Sequence, residues 1–451
     1  MNRYKFPILL NLTLIFLFVS CDDFLDEKPN RALVTMDSLN DLQGLLDNTL
    51  NVMNQKAFLQ LFVSDEFYTN SQGLAGLQPY LQKAFTYQHP PFEQDLNLLD
   101  WRTFYRQIFY ANIVLDEINK IVPVNSNEEE IQNQIKGQAH FHRAFAYFGL
   151  VQLFSPPFGP AENNSQRSIP VRKSPDPNVL PMRPDLSEIY GLIAEDLNLS
   201  VQLLPDKFEP KTRPSKMAAH AMLARTYLTK SEYQNAKKHA EAALAIESTL
   251  IDFNSLNLSL LNPFAPFNIE TVFYVENQFN SFLTGQLAMV NPLYLSLYKD
   301  GDLRRSAYFT ERPTGWVNFT GYLTGTNRYF AGISTSEIYL ILSECYIREG
   351  DFLAATELLK KLEKSRFKEG FSTELEINSE QEGLEYIMEE RIRELFGRGT
   401  VWTDIRRFNL DSRFQRSISK TIDDTVYELP LNDPRFTLPV PPREVELDNL
   451  N

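Results

Sequence analysis

Helical periodicity is the dominant signal along the chain. Asp100 reads as the N-cap of a helix in which Trp101, Tyr105, Ile108, Leu115 and Ile118 recur at spacings of three, four or seven, one stripe of an amphipathic helix. Asn112 falls on the same stripe and must find a partner if it is buried. Residues 138–154 (QAHFHRAFAYFGLVQLF) are apolar around most of the helical circumference, which predicts a helix buried on several sides. Pro184 and Asp185 open another helix, with Glu188 placed as in a capping box. Its stripe is Leu186, Ile189, Ile193, Leu197 and Leu204, and Pro205 ends it.

Two later segments carry the same pattern. In 216–247, Leu223, Ala224, Tyr227, Ala236, Ala240 and Ala243 occupy the offsets held in 335–367 by Leu342, Ser343, Tyr346, Ala355, Leu359 and Leu362, with Gly350 in the turn. Small residues where two antiparallel helices approach, and large ones where they need filling, are the pattern of the tetratricopeptide repeat. Tyr227 and Tyr346 are 119 residues apart, so the repeats are not tandem. The expected fold is therefore mostly α, a helical scaffold with long insertions at 60–99, 155–183, 248–333 and 409–451 and minor β structure. Thr271 to Val275 (TVFYV) suits a short strand. Loops this long inside a folded body are usually functional.

The N-terminus bears on the compartment. Arg3 and Lys5 precede an apolar run from Phe6 to Val19, too short to span a bilayer and suited to an export signal over residues 1–20. Phe18-Val19-Ser20-Cys21 resembles the lipobox of bacterial lipoproteins, with Phe18 where Leu is preferred, which makes Cys21 the expected lipidated residue. Residues 21–30, largely acidic, then read as a tether, and 31–451 as one domain, with hairpins near 100–154, 185–247 and 335–367 and no clean internal boundary.

Charge and composition narrow the function. The net charge is −14, becoming −16 once Arg3 and Lys5 leave with the signal, and no Lys/Arg run interrupts the chain, so nucleic acid is not an expected partner. Two cysteines, Cys21 and Cys345, provide neither a disulfide framework nor a zinc site, and Cys345 reads as a small buried residue. His140 and His142 diverge by about 200° on a helix and cannot share a metal. No GxSxG, Walker, HExxH or CxxC motif is present, and no catalytic residue, cofactor or metal is expected. The charge-dense block 390–408, with Glu390, Arg391, Arg393, Glu394, Arg398, Asp404, Arg406 and Arg407, reads as an internal salt-bridge network.

Several segments, taken in order, resemble the SusD/RagB-like outer-membrane nutrient-binding lipoproteins. They are the tether CDDFLDEKP, RAFAYFGLVQLF followed by a Pro-rich turn and Ile169-Pro170-Val171, RPDLSEIYGLIAEDL, KDGDLRR, SEIYLILSECYIREGDFLAA, ERIRELFGRGTVWTDIRRF and LPVPPREVELDN. Asn327-Arg328-Tyr329 and Asp448 depart locally from the family pattern. The resemblance implies a SusD-like fold with tetratricopeptide-like hairpins and a surface-exposed lipoprotein anchored to the outer membrane. It also implies a partnership with a SusC-like TonB-dependent β-barrel transporter, to which oligosaccharide is delivered. An oligopeptide ligand, as in the RagB branch, and a lid with little ligand affinity of its own are the alternatives.

Sugar binding needs flat apolar faces for pyranose C–H groups and polar groups at their edges. Trp101 and Trp402 sit in helical contexts and read as core. Trp316, in Pro313-Thr314-Gly315-Trp316-Val317-Asn318-Phe319-Thr320-Gly321-Tyr322, suits an exposed loop and is the first stacking candidate, with Tyr322 beside it. The early cluster Asp65-Glu66-Phe67-Tyr68-Thr69-Asn70 resembles the region where family members hold ligand, which adds Tyr68, Asn70, Tyr80 and Tyr87 as binding candidates.

Overall fold

A computed structural model describes residues 36–449 apart from 90, 94, 95, 372 and 373. Cys21, the export signal and the tether lie outside the described residues. The frame is a succession of antiparallel helices: α1 (Leu39–Leu46), α2 (Leu99–Glu117), α3 (Ser126–Phe154), α4 (Leu186–Leu203), α5 (Lys216–Thr229), α6 (Tyr233–Ile246), α7 (Thr335–Glu349), α8 (Phe352–Lys364), α9 (Glu380–Leu395) and α10 (Thr400–Phe408). Each helix from α2 to α7 packs on the next, and α9 packs on both α7 and α10. The two hairpins that are far apart in sequence, α5–α6 and α7–α8, are thus neighbours in space. Tyr346 donates to Glu241 (3.1 Å), and Lys237 reaches Glu349 (2.7 Å) with its ammonium 4.9 Å from the Tyr346 ring centroid. Residues 247–334 leave the helical stack and return to it.

The sequence pattern accounts for these elements closely. The side chains of Asp185 and Glu188 each accept the other's backbone N–H at the start of α4. The apolar circumference of 138–154 is buried, and Gly149 lets α3 close on α2, since a Cβ there would stand 2.3 Å from the Phe104 ring. Asn112 accepts from Arg143 (3.0 Å) and donates to the Arg172 carbonyl (2.9 Å), so it is buried with its hydrogen bonds made. Gly350 turns α7 into α8 at φ +81°, with nothing within 4 Å of the place its Cβ would occupy. Gly350→Ala is therefore expected to cost about 1 kcal/mol of stability through backbone strain alone, read as a shifted denaturation midpoint; a loss above about 3 kcal/mol would show that the turn does more.

One N-cap differs from its sequence expectation. α2 starts at Leu99, not after Asp100, and Asp100 lies buried in its first turn, where it accepts the backbone N–H of Leu59 (3.1 Å). A tertiary contact has taken the carboxylate that local sequence assigned to a cap, and burial pushes its pKa up to about 7. The two helical histidines are both in the core. His140 contacts Asp196 (2.7 Å), which also receives two bonds from Arg143, while burial drives His142 down to about 3.

The strands are short and paired within the loops. Thr271–Phe273, inside the expected TVFYV strand, pairs with Ile333–Ser334 at the entry to α7. Phe67–Tyr68 pairs with Met289–Val290; Phe309–Glu311 and Val317–Phe319 form a hairpin, as do Ile418–Ile422 and Thr425–Leu429. No helix among the described residues is long and apolar enough to cross a membrane.

The charge-dense block is a buried network whose pairs run both along its helices, as in Arg393–Glu390 (2.7 Å) and Arg407–Asp404 (3.1 Å), and across elements. Arg304, fully buried, binds Asp302 (2.8 Å), Glu390 (2.6 Å) and Glu394 (3.1 Å). Arg366 spans Glu270 (2.7 Å) and Glu394 (2.9 Å). Arg391, which shares a helix with Glu394, turns instead to Asp404 of α10 (2.8 Å). Trp402 is core, its Nε1–H donated to the Gln152 carbonyl (3.2 Å), and Trp101 packs edge-on against Phe154. Cys345 is fully buried, and burial pushes its thiol far up.

Candidate functional site

The insertion between α6 and α7 lays its strand Met289–Val290 between the segments that carry Tyr68 and Trp316, and the three short strands form a shelf. Tyr68 pairs with Met289, and the next segment inward is the hairpin that carries Trp316. Asn318 fixes that hairpin: its amide donates to the carbonyls of Gln286 (3.0 Å) and Ala288 (2.8 Å), and its Oδ1 accepts from Arg312 Nε (2.7 Å). The turn closes through Arg312 and Trp316 backbone atoms (2.8 Å), with Gly315 at φ +82°. Trp316 is left half-buried at the hairpin tip, with Arg312 beside it. Asn70 caps the short helix Ser71–Ala75 by accepting from the Gly73 N–H (2.9 Å), while Tyr68 remains half-buried.

Three nominated tyrosines lie elsewhere, and their rings cannot offer a face to a sugar. Tyr322 is buried beneath the hairpin, 5.7 Å from Phe319 and 5.3 Å from Tyr329 between ring centroids, and burial pushes its hydroxyl up to about 12. Tyr80 is buried on the helix Pro79–Phe85; burial, then the Asp100 carboxylate, pushes it to about 12. Tyr87 is buried at φ +55°, its carbonyl bonded by Arg435 and its ring 5.1 Å from the Lys420 ammonium. An aromatic between polar neighbours is as compatible with a hydroxyl turned inward as with a ring turned outward, and packing decides for inward here.

Beneath the shelf lies a buried polar knot. Asp65 receives Tyr294 (2.5 Å) and Arg416 (2.7 Å), while Glu66 accepts from the Gly397 N–H (2.8 Å) and the Ser64 hydroxyl (2.8 Å). Burial raises Glu66 to about 7 and lowers Lys420 to about 7. The adjacent carboxylates of Asp65 and Glu66 thus serve different partners and anchor the strand that carries Tyr68.

A second surface of the same insertion was not nominated from sequence. Phe267 stands 45% exposed with its ring 4.7 Å from that of Tyr274, whose hydroxyl donates to Glu276 (2.7 Å). Arg328, which faces Tyr274 electrostatically, lies over Phe279, 5.0 Å from a ring that is 50% exposed. Phe267 adopts φ +51°, a conformation that costs a bulky residue about 1–3 kcal/mol and persists only where its surroundings enforce it. Asn268 enforces it here, its amide donating to the Ala265 and Leu323 carbonyls and its Oδ1 accepting from the Glu270 N–H. Pro266-Phe267-Asn268 has the same turn-flanked aromatic character that singled out Trp316, so the signal was present in the sequence. Among the described residues no group of three or more His, Cys, Asp or Glu side chains could hold a metal ion.

Two family descriptions match the chain in succession: "Starch-binding associating with outer membrane" over residues 23–228 and "SusD family" over residues 262–445. Curated relatives include SusD-like protein P2 of Formosa agariphila, 27% identical over 55% of this chain and 47% of its own length. A SusD-like protein of Bacteroides ovatus is 24% identical over 72% of this chain and 58% of its own. The chain therefore spans about half the length of the curated relatives it matches. Among solved structures, a SusD superfamily protein from Bacteroides vulgatus superposes with a TM-score of 0.74 at 19% identity, covering 91% of this chain and 97% of that one. A SusD-like carbohydrate binding protein from the same species gives 0.68 at 19% identity, covering 92% and 97%. These likenesses show the fold.

Proposed function

Because the chain belongs to the SusD/RagB family, with the mostly α SusD fold, we propose that it is a non-catalytic glycan-capture protein of the outer membrane, anchored through Cys21. In this reading it collects oligosaccharide at the cell surface and passes it to a SusC-like TonB-dependent β-barrel transporter. The observation that carries the reading is the insertion between α6 and α7, which holds Trp316, Phe267 and Phe279 partly in solvent. Polar groups accompany two of these rings: Glu276 accepts the hydroxyl of Tyr274 beside Phe267, and Arg328 lies over Phe279. Apolar faces rimmed by hydrogen-bonding groups match the two-sided chemistry of a pyranose.

Isothermal titration against a panel of glycans and peptides tests this. The expected result is saturable binding to one glycan class, weakened about tenfold, or about 1.4 kcal/mol, in Trp316→Ala. Trp316 is not part of the buried core, so the melting temperature of that variant should stay close to the parent's. Binding to peptides but to no glycan would replace the sugar reading with a peptide one. Unchanged glycan affinity in Trp316→Ala would remove that residue from the site.

A further inference from the structure

A charged chamber lies inside the helical frame, apart from the aromatic surfaces. Its volume is about 50 Å³, and it is walled by α2, α3 and α5, the strand Gln55–Lys56, the start of α7, α9, α10 and the turn between them. That is room for a few waters or one small oxyanion. Five cations line it, Lys56, Arg225, Arg391, Arg398 and Arg407, against the carboxylates of Glu337 and Asp404.

The pairing leaves positive charge over. Arg225 is matched by Glu337 through two bonds (2.5 and 2.7 Å). Asp404 is divided between Arg391 (2.8 Å) and Arg407 (3.1 Å), and Arg407 takes a further carboxylate, Glu344, from outside the chamber. Arg398 has no such match. Its Nη1 donates to the Ser334 hydroxyl (2.7 Å), and its nearest carboxylate, Glu394 at 4.0 Å, is already held by Arg366. Arg398 Nε and Nη2 and Arg391 Nη1 are buried donors with no partner, on side chains at most 5% exposed. Gln60 also lines the chamber, and its Oε1 is likewise unpartnered.

Buried charged donors are rarely left empty-handed, because each unmade bond costs about 1–3 kcal/mol or more. Water could accept the hydrogen bonds but would leave Arg398 with no carboxylate closer than 4.0 Å. An oxyanion answers both requirements, and guanidinium forks match the spacing of its oxygens. Burial, then Arg225, lowers the Lys56 ammonium to about 8, against the pull of the Asp100, Glu337 and Glu66 carboxylates. We propose that this chamber is a binding site for one small oxyanion, held between Arg398 and Arg391 with Lys56 as the third cation. The site does not depend on the glycan reading, and its occupant ties the strand Gln55–Lys56, α9 and the Arg398 turn together.

The full mature chain is titrated with inorganic phosphate and sulfate, with chloride at matched ionic strength as the control. The expected result is saturable one-to-one binding of the oxyanions, reduced at least tenfold in Arg398→Gln. Crystals grown with selenate, whose selenium can be located by anomalous scattering, should show one peak between Arg398 and Arg391. Lys56→Met, which keeps the volume and removes the charge, provides the second variant should Arg398→Gln fail to fold; it too should weaken binding several-fold. No saturable heat with either oxyanion together with a chamber free of selenium would overturn the proposal. So would oxyanion affinity unchanged in both folded variants.

Discussion

Arg304→Met should destabilise the protein by about 3–5 kcal/mol, measured as a loss in denaturation free energy at neutral pH. Arg304 is fully buried and holds three carboxylates, those of Asp302, Glu390 and Glu394. Burial acts against its charge, but the surrounding carboxylates more than reverse that and keep the guanidinium ionised. With a thioether in its place, Asp302 loses its bound cation, while Glu390 falls back on Arg393 and Glu394 on Arg366. The resulting excess of buried negative charge is the cause of the loss. Adding Glu390→Gln to Arg304→Met should therefore cost less than the sum of the two single changes. A loss below about 1 kcal/mol in Arg304→Met would mean that water reaches the cluster and the network is not a structural pin. The same variant reports on function, because residues Arg304–Tyr308 run directly into the hairpin that presents Trp316. Loosening Arg304 should lower glycan affinity as well as stability, whereas Trp316→Ala should lower affinity alone.

The frame was legible in the sequence because its helices are locally encoded. The stripe of 101–118, the apolar circumference of 138–154, the box of Asp185 and Glu188 and the matched offsets of Tyr227 and Tyr346 each rest on contacts within a few turns of one helix pair. What local pattern could not reveal is that α6 and α7, separated by the longest insertion, pack directly on each other. That adjacency turns two scattered hairpins into one continuous stack. Asp100 shows the opposite limit: it has the composition of a cap, yet Leu59, 41 residues earlier in the chain, claims its oxygen.

The site was less legible, for a physical reason. Loop aromatics are sorted into core and surface by tertiary packing, which leaves no periodicity to read. Trp316 and Tyr322 are six residues apart in one polar loop, but the hairpin turns the first towards solvent and lays the second under Phe319 and Tyr329. Tyr68 and Trp316 were nominated separately, and only the segment Met289–Val290 between them shows that they share a shelf. Phe267 went unnominated although its neighbours Pro266 and Asn268 mark a turn; its positive φ is visible only in three dimensions. The charge block is a middle case, since its burial was inferable from its density, whereas Arg366 and Arg304 had to be supplied by other segments.

The knot beneath that shelf gives the second large effect, a dependence of stability on pH centred on Glu66. Burial, aided by Asp65, raises this carboxyl from its ordinary 4.5 to about 7, against the hydrogen bonds of Gly397 and Ser64. With the folded value above the unfolded one, the contribution of Glu66 is fully present below about 4.5 and is lost as pH rises through about 7. That span corresponds to roughly 3 kcal/mol. Lys420 works in the other direction: lowered by burial to about 7, it contributes above its ordinary 10.5 and loses that contribution as pH falls through 7. The two together place a dip in stability near neutrality. Glu66→Gln should remove the acidic side of the dip, because the amide keeps an acceptor for Gly397 and carries no charge at any pH. The variant should match the parent at pH 4.5 and exceed it by roughly 2–3 kcal/mol at pH 8, read from denaturant midpoints. Equal or lower stability of Glu66→Gln at pH 8 would mean that the carboxylate is ionised at little cost, with Lys420 as its counter-ion. The expected result bears on binding, since Glu66 holds the Gly397 turn and precedes the strand of Tyr68, so the shelf should then be most firmly held where Glu66 is protonated.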